Sequence, residues 1–146
     1  GVLARTCPPP FVGAVADAIG SRGMAGGQVL DILAQEGRRT AGGKRRIDDW
    51  KTGCLFRVCF EAPLFFTRCG AATARRLRFL GEEFGRAFQM RDDIEDGEGD
   101  AVRLRRDLDA VWRRMDAAAA SLSGRSALLR ATLRMLAPEL PPDPRT

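Results

Sequence analysis

Histidine is absent from this 146-residue chain, and lysine nearly so: Lys44 and Lys51 stand against 22 arginines. Without an imidazole there is no His-based catalytic triad and no His-ligated zinc site. Cys7, Cys54, Cys59 and Cys69 form no Cys-x-x-Cys pair, so a thiolate zinc site lacks its parts as well. That cysteine usage suits a reducing compartment, and the expectation is a cytoplasmic protein. No apolar run approaches the roughly 20 residues needed to cross a bilayer, and no signal-peptide pattern is present. A Walker-type GxxxxGK[ST] is missing, and no stretch alternates cleanly enough to make a strand.

What remains is helical. Hydrophobic residues make up 45% of the chain, enough for one modest core, and we expect an all-α protein with 1–146 forming a single helical unit. Phe11, Val15 and Ile19 repeat every four residues, a Gly-rich break follows at "GMAGG", and the pattern resumes from Gln28 to Gln35. "EGRRTAGG" reads as a loop. Long apolar-periodic segments run from about Ile47 to Phe66 and from about Thr73 to Asp96, where "GEG" ends the second. Asp100 is placed to cap a helix through Ala119, and Ser126 to Ala137 predicts a last helix before the Pro-rich "PELPPDPRT".

Charge is unevenly spread. The formal net charge is +5, yet Asp92 to Asp100 packs six carboxylates into nine positions, which leaves +11 on the remainder. The arginines fall as singles and pairs along helical patterns without interleaved aromatics. They suit solvated helix faces better than a nucleic-acid surface, and no nucleic-acid partner is expected.

On a helix, Gln89, Asp92, Asp93 and Asp96 share one stripe, with Gly85 below them and Leu77, Leu80, Phe84, Ala87, Phe88, Met90 and Ile94 filling a broad apolar arc. A helix buried on most sides would turn that stripe toward a cleft. The macrodipole disfavours carboxylates at a helix C-terminus by roughly 0.3–1 kcal/mol each, and Asp92 and Asp96 at i, i+4 repel one another. A divalent cation reverses both effects, and an all-oxygen set favours Mg²⁺ or Ca²⁺. An EF-hand fails on spacing: with Gly97 at its sixth position, the third ligand would be Ile94 and the twelfth Arg103. Magnesium, which takes one or two carboxylates and shares its other sites with water and phosphate, fits better. An acidic surface turn paired with nearby Arg is the competing reading.

Lys51 falls near the centre line of an apolar face drawn from Ile47, Cys54, Leu55, Val58, Cys59, Ala62, Phe65 and Phe66. An ammonium there calls for an anionic partner or a wet cleft, unless it snorkels outward from the helix start. Thr52 beside it adds a hydroxyl donor. Gln28 and Asp31, three apart, share a face just after Gly23, Gly26 and Gly27, which permit close helix approach or a kink.

Taken in order, "GMAGGQVLDIL", "DDWKTGCLF" and "LGEEFGRAFQMRDDIEDGEGD" resemble the C-terminal half of trans-isoprenyl diphosphate synthases, the family of farnesyl and geranylgeranyl diphosphate synthases, over about Ala14 to Asp100. The resemblance implies an isoprenoid-synthase-type helical bundle. It also implies a Mg²⁺-dependent prenyltransferase joining isopentenyl diphosphate head-to-tail to an allylic diphosphate. "FQMRDDIED" is similar to the family's second aspartate-rich motif, which makes Asp92, Asp93 and Asp96 the implied metal ligands and Gln89 their support. Lys51 and Thr52 would grip the allylic diphosphate, with Lys51 and Asp92 the implied catalytic pair, while Gln28 and Asp31 would line the cavity. Arg103 and Asp107 echo the family's Lys-x-x-x-Asp spacing, with Arg offering a different donor geometry. The family's first aspartate-rich motif is not in this sequence, nor is its "GK(S/T)TYP"-like segment. The expectation is therefore the C-terminal half of a larger domain, active with the missing half or as a homodimer or heteromer with a chain that carries the first motif. The alternative is a non-catalytic helical subunit that regulates a complete synthase.

Overall fold

A computed structural model describes residues 2–38, 43–122 and 126–136. Among them the only regular elements are helices, as expected of an all-α chain: α1 (Val2–Thr6), α2 (Pro9–Ile19), α3 (Met24–Gln35), α4 (Gly43–Asp48), a π-helical turn (Asp49–Gly53), α5 (Cys54–Phe66), α6 (Ala71–Glu95), α7 (Ala101–Ala120) and α8 (Ser126–Leu136). The chain divides into two compact units, Gly1–Arg86 and Ala87–Thr146. Residues 39–42 of the expected loop, and the Pro-rich "PELPPDPRT", lie outside the described residues.

In the first unit, Pro8 and Pro9 start α2, where a missing N–H costs nothing. Phe11 on α2 meets Phe65 and Phe66 of α5 at ring-centroid distances of 5.5 and 5.2 Å. The Gly-rich break is shorter than its composition suggests: the chain turns at 20–23, and "MAGG" already forms the first turn of α3. Cys54 ties α2 to the π turn, its thiol lying 3.1 Å from the Ala18 carbonyl and 2.8 Å from that of Trp50. Burial pushes that thiol above its ordinary pKa.

Two pairs of glycines set the helix approach in this unit. A Cβ on Gly27 would lie 2.3 Å from the Lys51 backbone nitrogen, and one on Gly26 1.9 Å from the Ser21 carbonyl oxygen in the turn before α3 and 3.3 Å from the Trp50 ring. Gly81 and Gly85, one turn apart on α6, leave room for the backbone of Arg57 and Gly53, which added Cβ atoms would meet at 2.8 and 2.9 Å. Beside them Phe84 receives Phe56 and Phe60 at 4.8 and 5.5 Å. Leu77 and Leu80 are buried, as their periodicity predicts.

The apolar face drawn from Ile47 to Phe66 is not continuous. Ile47 and Cys54 are buried, but Cys59 is exposed and Phe66 is 52% exposed. The π turn winds wider than 3.6 residues per turn, so Ile47 before it and the α5 residues after it do not share the register of a stripe projected at 100° per residue through Asp49–Gly53.

In the second unit, Leu108, Val111, Met115 and Ala119 form the buried stripe of α7 at spacings of three and four. Asp100 is the N-cap the sequence predicts, its carboxylate accepting from the Val102 and Arg103 backbone N–H groups at 3.1 and 3.2 Å. α8 rests on α7 through Leu133 and a two-pronged ion pair, in which Arg130 donates to both carboxylate oxygens of Asp116 at 2.8 and 2.7 Å.

Candidate functional site

In the first unit the structure joins two residues that the sequence separates by twenty positions. Lys51 Nζ donates to Asp31 Oδ2 at 2.7 Å, with side chains 41% and 22% exposed. The bond depends on local backbone: Gly27, one turn before Asp31, lets α3 press against the Lys51 main chain, and the π turn presents Lys51 to α3. Arg46 stacks over Trp50 at 4.7 Å beside this seam. Thr52 is half-buried and Gln28 exposed. Lys51 therefore has the anionic partner that its place on an apolar face demands. The pairing is invisible in the sequence, where Gln28 and Asp31 suggest only a shared face.

In the second unit, α6 ends in a Schellman motif. The Glu98 N–H bonds to the Asp93 carbonyl at 2.7 Å and the Gly97 N–H to that of Ile94 at 3.3 Å, with Gly97 at φ +71°. That closure fixes where the acidic stripe stops. Asp92 and Asp93 are half-buried and Asp96 is exposed. Burial pushes the Asp92 carboxyl above its ordinary pKa; Glu95 raises it too, Arg91 opposes, and Asp96 and Asp93 add to the rise. Gln89 Nε2 reaches Asp93 Oδ1 at 3.4 Å, a long bond that holds the carboxylate loosely. Arg91 Nε is taken by Glu95 at 2.6 Å. Of the six clustered acids, Asp100 is committed to capping α7 and Glu95 to Arg91. Asp92, Asp93 and Asp96 are the three on the predicted stripe.

Among the described residues no three acidic or cysteine side chains converge into a cage for a metal ion. The donor set still suits magnesium, because a hard ion held by one or two carboxylates takes its remaining ligands from water and a bound phosphate. It also suits the electrostatics: a carboxyl whose ionisation is disfavoured by burial and like charge gains most from a cation. Arg103 is 73% exposed and sits 3.7 Å from Asp107, a solvated i, i+4 pair on α7.

The sequence pattern of the polyprenyl synthetase family matches residues 6–109. The chain is 33% identical over 89 residues to a farnesyl diphosphate synthase of Micrococcus luteus, covering 61% of this chain and 31% of that protein. It is 37% identical over 102 residues to the farnesyl diphosphate synthase of Escherichia coli, covering 64% of this chain and 32% of that one. The chain thus spans about a third of the length of the curated relatives it matches. Among solved structures, a geranyltransferase from Legionella pneumophila superposes with a TM-score of 0.75 at 26% identity, covering 92% of this chain and 52% of that one. An FPP/GFPP synthase from Zymomonas mobilis gives 0.73 at 29% identity over 87% of this chain and 50% of its own.

Proposed function

The chain belongs to the polyprenyl synthetase family, and on that premise we propose that it supplies the second aspartate-rich motif and a diphosphate-gripping lysine to a farnesyl- or geranylgeranyl-type synthase. The reaction is the head-to-tail condensation of isopentenyl diphosphate with an allylic diphosphate. Asp92, Asp93 and Asp96 would hold Mg²⁺, with Gln89 steadying Asp93. When bound, the ion neutralises the negative charge that builds on the departing diphosphate. Lys51 would add a cation and Thr52 a hydroxyl donor for the diphosphate, and Arg103 a further positive charge. Gln28 lies on the face of α3 that faces substrate in this reading.

These side chains position and neutralise; none forms a covalent bond to substrate. The observation that carries the reading is the half-buried Asp92, its ionisation disfavoured, at a helix end whose own dipole disfavours negative charge. The test is turnover by the complete synthase that contains this chain. Asp92→Ala should lower kcat/KM by at least about 100-fold, which corresponds to roughly 2.7 kcal/mol of transition-state stabilisation. Unchanged turnover would refute the assignment.

A further inference from the structure

Asp31 does not sit free to meet a substrate: its carboxylate takes the Lys51 ammonium at 2.7 Å. Three features of the fold converge on that bond. Gly27 removes the side chain that would block α3, since a Cβ there would lie 2.3 Å from the Lys51 backbone nitrogen and 2.7 Å from its Cα. The π turn Asp49–Gly53 interrupts regular winding at the residue that carries the ammonium, and such turns are frequent at functional sites. Asp31 lies one helical turn beyond Gly27, on the same face of α3.

We propose that Asp31 is a positioning residue that works through Lys51, rather than a ligand of substrate or metal. This rests on the reading that Lys51 grips the allylic diphosphate. The chemistry is a matter of donor count: an ammonium has three N–H donors, one goes to Asp31, and two remain in a fixed direction for phosphate oxygens. A lysine on a four-carbon stem otherwise samples many rotamers, and holding it before substrate arrives removes that ordering from the barrier to reaction.

The test is steady-state kinetics on the complete synthase that contains this chain, with the allylic diphosphate varied at saturating Mg²⁺ and isopentenyl diphosphate. Asp31→Asn keeps the shape and removes the charge. It should lower kcat about 10- to 100-fold while KM for the allylic diphosphate moves less than about 3-fold, and Asp31→Glu should recover part of the loss. Lys51→Ala should be slow, and adding Asp31→Asn to it should slow it no further, because the acid acts only through the lysine. The Mg²⁺ concentration for half-maximal rate should be the same in wild type and Asp31→Asn.

Full kcat in Asp31→Asn with a lowered melting temperature would overturn the inference in favour of a purely structural pair. A multiplicative double variant, or a shifted Mg²⁺ requirement, would overturn it in favour of a direct ligand. Lys51→Ala at full rate would sink the reading of Lys51 and this inference together, a result separable from full rate in Asp31→Asn alone. If Asp31→Asn does not fold, Asp31→Glu carries the comparison: a fall in kcat at steady KM supports the role, and an unchanged kcat overturns it.

Discussion

At the scale of the residue, Asp92 shows how far spacing alone reaches. Its raised pKa means that the folded chain holds the proton more tightly than the unfolded chain. Its contribution to stability is therefore complete below the ordinary carboxylate value and is lost as pH rises through the raised one. At neutral pH the ionised Asp92 destabilises the metal-free protein. Asp92→Asn should accordingly raise the melting temperature at pH 7 without metal by about 1–3 °C, on a scale where 1 kcal/mol moves a chain of this size by roughly 2–4 °C. The gain should vanish near pH 3, where the native carboxyl is already neutral in both states. Melting curves at the two pH values check it. The helix that carries Gln89, Asp92 and Asp93 was legible because a helix repeats every 3.6 residues. The Asp31–Lys51 bond was not, because no local periodicity records which two helices touch.

At the scale of the element, periodicity located the helices and close backbone contact decided how they meet. The ends of α2, α6 and α7 and the Asp100 cap fall within about two residues of their sequence-based positions, as expected when turn and cap chemistry are strong. α1 carries too few apolar repeats to announce itself. The π turn defeats any projection at a fixed angle across Asp49–Gly53, so Ile47 and the residues of α5 do not fall on one stripe. Gly27→Ala drives a Cβ into the Lys51 backbone, which cannot move aside as a flexible side chain would. It should cost about 1–3 kcal/mol, seen as a lower urea midpoint at unchanged slope.

In the second unit, Arg130 holds the Asp116 carboxyl below its ordinary pKa, with Arg134 helping. That stabilisation is present above the ordinary carboxylate value and lost as pH falls through the lowered one. Asp116→Asn should therefore speed hydrogen exchange in α8 at neutral pH. The difference from wild type should close in strong acid, and equal exchange at pH 7 would show that Leu133 alone holds the helix.

At the scale of the whole molecule, the all-helical make-up of the described residues could be read from periodicity, and the three ordered motifs carried the family. Among the described residues no helix is long and apolar enough to cross a membrane. α6 is a single uninterrupted pattern in the sequence, and the boundary between the two units falls within it. This polypeptide contains one aspartate-rich motif. On its own it should form no prenyl product from isopentenyl and allylic diphosphates with Mg²⁺, and product should appear when a chain bearing the other motif is supplied. Radiolabelled product assays with and without that chain decide the matter; product from the isolated polypeptide would mean that one motif suffices.

The wide turn at Asp49–Gly53 has a consequence of its own. Deleting Asp49 to restore ordinary winding would remove no cation and none of the partners of Lys51. It would nevertheless rewind the backbone at 49–53, the wide turn from which Lys51 reaches Asp31. The ammonium would survive with its aim lost, a defect that an inventory of charges would never detect.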